Sequence, residues 1–183
     1  MTRIPENTPA PVDDGACDHL KGQVLPNVTL TSSEGRPINV GGLAGTVVLY
    51  FYPRTGRPDR PSPDGWAQIP GALGCTPQAC AFRDHHRELT DLGVQVFGVS
   101  TQDSDYQQEA VDRLGISFEL LSDENLALAQ ALELPLFTVE GVTLNKRVTL
   151  IAKDGEIQKV FYPVFPPDDH VYEVIDWLKD SSR

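Results

Sequence analysis

Two cysteines, Cys75 and Cys80, lie close together in the stretch Gly74-Cys75-Thr76-Pro77-Gln78-Ala79-Cys80-Ala81-Phe82-Arg83-Asp84. Cys75, Ala79, Phe82, His86 and Leu89 follow one another at steps of 4, 3, 4 and 3, the period of one helix face. The spacing predicts a helix that opens at Cys75 and runs to about Leu92, with Gly93 as its stop. A helix N-terminus carries partial positive charge and unpaired amide donors, which favour a thiolate, the reactive form of a cysteine. On helix position alone, Cys75 reads equally well as a packed, inert core thiol.

Cys80 bears on that choice. C-x-x-x-x-C is neither the C-x-x-C of dithiol oxidoreductases nor a usual zinc half-site. Along an intact helix, residues five apart differ by ~140° in direction and ~7.5 Å in rise. That is beyond the ~7 Å between Cα atoms that a disulfide tolerates. The two sulfurs can join only if the first helical turn unwinds, which suits a cysteine that reacts and a second that arrives later. The rival constellation, zinc held by Cys75, Cys80, His85 and His86, points its side chains in several directions from one helix. No metal site is expected.

The flanking elements must position these thiols. Thr46-Val47-Val48-Leu49-Tyr50-Phe51-Tyr52 is apolar almost throughout and reads as a strand buried on both faces. Pro53 ends it, and the chain to about Ile69 is turn chemistry, with Gly56, Pro58, Pro61, Pro63 and Gly65. Residues 94–100 form a second buried strand; a helix capped by Ser104 or Asp105 follows, and residues 118–121 form a third strand. A short helix follows Asp123-Glu124-Asn125 and ends near Leu132. Hairpins are predicted across residues 32–35, Glu140-Gly141 and Lys153-Asp154-Gly155. A closing helix starts at Pro167-Asp168-Asp169. The order implies an α/β layered sandwich around a mixed sheet.

The chain has 183 residues and reads as an extended or mobile arm over residues 1–18 followed by a single domain, 19–183. Its net charge of −11 argues against nucleic acid and anionic membrane surfaces as partners. No apolar run reaches the ~18 residues of a membrane span and the first residues lack a secretory pattern, so a cytoplasmic protein is expected. Three cysteines are an odd number, so at least one thiol is free, and this is not a disulfide scaffold.

The chain from about Leu20 to Lys179 resembles the peroxiredoxins, specifically the peroxiredoxin Q or bacterioferritin comigratory protein branch. The matching segments are Phe51-Tyr52-Pro53, the cysteine stretch with Phe82-Arg83-Asp84, Val96-Phe97-Gly98-Val99-Ser100, Leu121-Ser122-Asp123 and Arg147-Val148-Thr149-Leu150-Ile151. The resemblance implies a thioredoxin-like three-layer sandwich and thiol-dependent reduction of hydrogen peroxide and organic hydroperoxides, without metal or organic cofactor. It assigns Cys75 as the peroxidatic cysteine, Cys80 as the resolving cysteine, and Arg147 as the arginine that supports the thiolate and polarises the peroxide. A Cys75–Cys80 disulfide, recycled by thioredoxin or a similar dithiol in a monomer or weak homodimer, is what this implies. The rival function is a peroxide sensor that relays oxidation to a partner protein.

One departure stands out. The family joins the strand-ending proline to the cysteine in a much shorter run, with Thr or Ser three before the cysteine. Here Pro53 and Cys75 are 22 apart and that position holds Ala72. The sequence therefore predicts that Thr55 supplies the missing hydroxyl while the 54–69 insertion bulges over the pocket mouth; Thr55 as a plain turn residue is the other reading. Cys17, in the arm, is expected to be a free thiol or an alternative partner.

Overall fold

Thr46–Phe51 (β3) runs through the interior of the sheet because, past the half-buried Thr46, its side chains are large and predominantly apolar. Val47, Leu49 and Phe51 face one side, and Val48, Tyr50 and Tyr52 face the other, the alternation of a pleated strand. The computed structural model describes residues 3–183. The other strands are Thr29–Ser32 (β1), Pro37–Asn39 (β2), Val94–Ser100 (β4), Leu120–Ser122 (β5), Val148–Lys153 (β8) and Glu156–Phe161 (β9). With β3 they form a seven-stranded sheet of order β2-β1-β5-β4-β3-β8-β9. β3 is parallel to β4 and antiparallel to β8, so the sheet is mixed.

Helices cover both faces. Cys75–Asp84 (α1), His86–Asp91 (α2), Ser104–Leu114 (α3) and His170–Ser181 (α5) pack on the Tyr50 side, and Ala127–Ala131 (α4) packs on the Phe51 side. This is the thioredoxin-like three-layer arrangement expected from the order of elements. Leu136–Val139 (β6) and Val142–Asn145 (β7) form a separate hairpin across Glu140-Gly141. Among the described residues no helix is long and apolar enough to cross a membrane.

Four boundaries differ from expectation. The cysteine helix breaks at His85, which adopts φ −105° and ψ 6°, and whose ring stands edge-on to Tyr172 of α5 at 4.9 Å. The third strand begins two residues later than predicted, at Leu120. α3 is capped by Asp103 rather than Ser104 or Asp105; the Asp103 carboxylate accepts from the Tyr106 amide at 2.7 Å. The short helix after residue 123 starts only at Ala127, because the buried Asp123 carboxylate takes up the Leu128 and Ala129 amides at 3.0 and 2.8 Å.

The first eighteen residues form no helix or strand where described, yet they lie against the domain. Asp14 accepts from the Tyr162 hydroxyl at 2.8 Å and pairs with Lys146 at 3.1 Å. Those two bonds hold its carboxyl down at about 2.

On the helix side, His170 ties α5 to the sheet. Its Nε2 is 2.9 Å from the Thr149 hydroxyl, its Nδ1 is 2.8 Å from Glu173, and its ring meets Phe82 and Phe161 edge-on. Burial pushes its pKa below the ordinary value, although Glu173 opposes that shift. Below about pH 6.5 the unfolded chain binds a proton that the folded chain resists, so acid draws the equilibrium toward unfolding. The urea midpoint is therefore expected to fall between pH 7.5 and pH 5.5, and His170→Gln to shrink that difference. An equal pH dependence in wild type and variant would rule out this account.

Candidate active site

Cys75 is the first residue of α1 and its side chain is buried. Gly74 precedes it at φ 104°, a backbone region that other residues rarely adopt. A Cβ at Gly74 would also collide with the Pro167 ring, so glycine is required on two counts.

Arg147 reaches the same point from the far end of the chain. Antiparallel pairing sets Val148 opposite Phe51. The residue before Val148 thus lies beside the end of β3, where the chain leaves toward the cysteine. Its Nη2 is 3.3 Å from the Cys75 sulfur. The same nitrogen donates to the carbonyls of Gly71, Ala72 and Leu73 at 3.3, 3.5 and 3.1 Å. Nη1 donates to the Gln78 side-chain oxygen. Arg147 is 3% exposed, and these acceptors are what make its burial tolerable.

Gln78 was legible as part of the cysteine stretch but had no predicted role. It is fully buried, one turn below Cys75, and its signal was a large polar side chain at a core position of an otherwise apolar face. Its Nε2 has no partner among the described residues. Tyr50 and Tyr52 share the Cys75 cluster; the buried Tyr50 hydroxyl has no partner among the described residues, and burial raises the pKa of both.

Cys80 sits further along α1, half-buried, and all three cysteines are free thiols. α1 is continuous through both residues, so the two thiols are held apart in this conformation.

The expectation for Thr55 is not what the geometry shows. Its side chain is fully buried, but the hydroxyl turns to Gln102 Oε1 at 3.4 Å and the backbone amide to the same oxygen at 3.0 Å. Tyr106 donates to its carbonyl at 2.9 Å. The residue anchors the start of the insertion to the β4–α3 loop. At the sulfur, the Ala72 backbone stands where a side-chain hydroxyl was sought: its carbonyl accepts from the Cys75 thiol at 3.7 Å.

The insertion itself comes back over the site. Gly56, Ser62 and Trp66 line the same open cavity of about 280 Å³ as Cys75 and Thr76. Trp66 is buried against Ala72, Leu144 and Phe137 and fixes the loop there. Cys17 belongs elsewhere: it is buried in the core on the opposite face of the sheet from Cys75. Burial, reinforced by Asp14, Asp13 and Asp18, pushes its thiol up to about 12.

The profile described as Redoxin matches residues 20–175. Among curated relatives, chloroplastic peroxiredoxin Q of Arabidopsis thaliana is 32% identical over 87% of this chain and 67% of its own length. Peroxiredoxin Bcp of Bacillus subtilis is 30% identical over 88% of this chain and 96% of its own. The chain spans about two thirds of the chloroplastic rice relative, at 66%. Peroxidoxin BcpB of Mycobacterium tuberculosis superposes with a TM-score of 0.72 at 25% identity, covering 88% of this chain and 98% of that one. A Xylella fastidiosa PrxQ mutant superposes at 0.74 and 22% identity, covering 90% and 99%. Fold and cysteine site together define a redoxin. The chain belongs to the redoxin family, within its peroxiredoxin Q and Bcp branch.

The thiols should differ in reactivity. A thiol with a pKa near 12 is less than about a thousandth ionised at pH 8, and Cys17 is enclosed as well. Iodoacetamide on the native protein at pH 8 is expected to leave Cys17 unlabelled until the chain unfolds, as read by peptide mass mapping. Labelling of Cys17 at the rate of a free thiol would show that the arm opens.

Proposed function

We propose that this protein is a thiol-dependent peroxidase that reduces hydrogen peroxide and organic hydroperoxides through Cys75. The observation that carries this reading is the Arg147 guanidinium 3.3 Å from a cysteine sulfur at a helix N-terminus. Curated relatives named as peroxiredoxins over nearly the whole chain support it.

In the proposed cycle the Cys75 thiolate attacks one peroxide oxygen and the O–O bond breaks. The distal oxygen leaves as alkoxide or hydroxide and is protonated to alcohol or water, while Cys75 becomes a sulfenic acid. Arg147 stays protonated throughout and offers donors in a fixed fork, so it stabilises the negative charge that moves from sulfur to oxygen. Cys80 then condenses with the sulfenic acid, expelling water and forming the Cys75–Cys80 disulfide, for which the first turn of α1 must open. A thioredoxin-type dithiol reduces that disulfide by exchange. The enzyme acts as a monomer or weak homodimer. A reducing cytoplasm is the matching compartment, since the cycle draws on a dithiol reductant.

A coupled assay with thioredoxin and its reductase, alongside peptide mapping, tests the cycle. Cys75→Ser is expected to abolish peroxide consumption. Arg147→Gln should lower kcat/KM by about 10²–10³, the usual cost of removing one positioned donor. Cys80→Ser should complete one turnover and stop, and mapping of wild type after one equivalent of peroxide should find Cys75 joined to Cys80. A link to Cys17 would overturn the resolving assignment. Wild type that stops after one turnover with reductant present would favour the sensor reading.

A further inference from the structure

We infer that the Cys75 cavity favours hydroperoxides that carry a carboxylate on an apolar body, with Arg54 and Arg3 setting the preference; this rests on the peroxidase reading above. The cavity, about 280 Å³, is several times the ~30 Å³ that a water molecule occupies and approaches the ~300 Å³ at which small-molecule sites begin. Hydrogen peroxide alone would leave most of it to solvent.

Its walls have two characters. Ile4, Trp66, Ala72 and Leu73 make it apolar, and Arg3 and Arg54 make it cationic, with no Asp or Glu in its lining. In a chain with 26 acidic and 15 basic residues, a lining with two arginines and no acid runs against the composition. Arg54 stands at its edge and also borders the adjoining cavity lined by Asp103, Glu124 and Glu140. Of the arginines close by, Arg57 pairs with Asp59 at 2.9 Å and Arg113 with Glu109 at 2.7 Å, while Arg60 lies over the Tyr106 ring at 5.8 Å. Among the described residues, neither Arg3 nor Arg54 lies within 4.0 Å of a carboxylate.

Arg54 is held in place by other means. Its guanidinium lies over the Trp66 ring at 5.8 Å and touches the Tyr106 hydroxyl at 3.5 Å. Stacking fixes the plane while leaving most of the fork donors unspent, the state in which a guanidinium takes a carboxylate in bidentate fashion. The neighbouring cavity of about 370 Å³ behind Arg147 offers no such charge, because its Lys146 is committed to Asp14. Two features absent from the family's short connection build the cationic wall: the insertion supplies Trp66, which holds Arg54, and the arm supplies Arg3.

The test compares para-carboxy cumene hydroperoxide with its methyl ester, which differ in charge but share the reacting carbon. Wild type is expected to reduce the acid with kcat/KM about tenfold above the ester at low salt, two partly exposed ion pairs contributing a few-fold each. The ratio should fall toward one as salt screens the charges. Arg54→Gln and Arg3→Gln should each lower the ratio, the double variant should bring it near one, and Arg54→Lys should restore part of it. Arg87→Gln, which removes an exposed charge elsewhere, should leave the ratio as in wild type. Equal rates on acid and ester in wild type, or a ratio that survives the double variant, would overturn the inference and leave the peroxidase reading intact. If wild type consumes no peroxide at all, the peroxidase reading fails and takes this inference with it.

Discussion

A buried guanidinium, Arg147, with no carboxylate among the described residues to neutralise it is the constraint around which this molecule is arranged. Every neutral acceptor on Arg147 is a dipole: the Gln78 amide and three successive carbonyls before the cysteine. Dipoles engage both Nη groups, while Nε has no partner among the described residues. The unit charge stays in place, and burial of an uncompensated charge is costly. The one partner able to carry a full negative charge is the Cys75 sulfur. A carboxylate at Gln78 would have neutralised the cation and removed its reason to attract a thiolate. The site thus keeps its positive charge available to the atom that reacts in the proposed cycle, inside a chain whose overall charge is strongly negative.

That arrangement also explains how the insertion is accommodated. A longer connection between β3 and α1 threatens the geometry only if it moves the last few residues before the cysteine. Those residues are held from the other side, by Arg147 bonding to the carbonyls of residues 71–73. Upstream, Thr55 is tied to Gln102 and Tyr106, and in between Trp66 is seated on Ala72 and Phe137. With both ends and its middle fixed, the extra chain adds wall to the cavity without displacing the sulfur.

How far the sequence reveals this depends on the range of the interaction. The helix stripe, the buried strand and the hairpin turns are local patterns of period or turn chemistry, and they were readable directly. Cys75 was readable because its place on that stripe is local too. Arg147 became readable only through resemblance, since its partnership with Cys75 rests on strand pairing across 72 residues. Thr55 misled for the same reason: its position after Pro53 was clear, but the glutamine that captures its hydroxyl lies 47 residues away. His85 shifted a helix end by its contact with Tyr172, 87 residues away, which no window of local propensity contains. Asp123 shifted another through amides only five and six residues on, a side-chain competition that hydrophobic period does not register.

The sequence's first puzzle, two thiols misaligned on one helix, has a physical resolution in the way α1 begins. Its N-cap is a glycine that offers no side chain to the orphan amides. The third residue is Pro77, which has no amide to contribute. Across the first turn the Gln78 amide bonds the Gly74 carbonyl at 2.9 Å. Beyond it the helix is far better held, with Phe82 stacked on Tyr50 at 4.6 Å and packed with α5. Oxidation of Cys75 to a sulfenic acid removes the thiolate charge that Arg147 gathers around it, and with that the strongest electrostatic tie on the first turn. On the proposed cycle, then, the reaction itself loosens the segment that must unwind, while Cys80 waits on the part of the helix that stays.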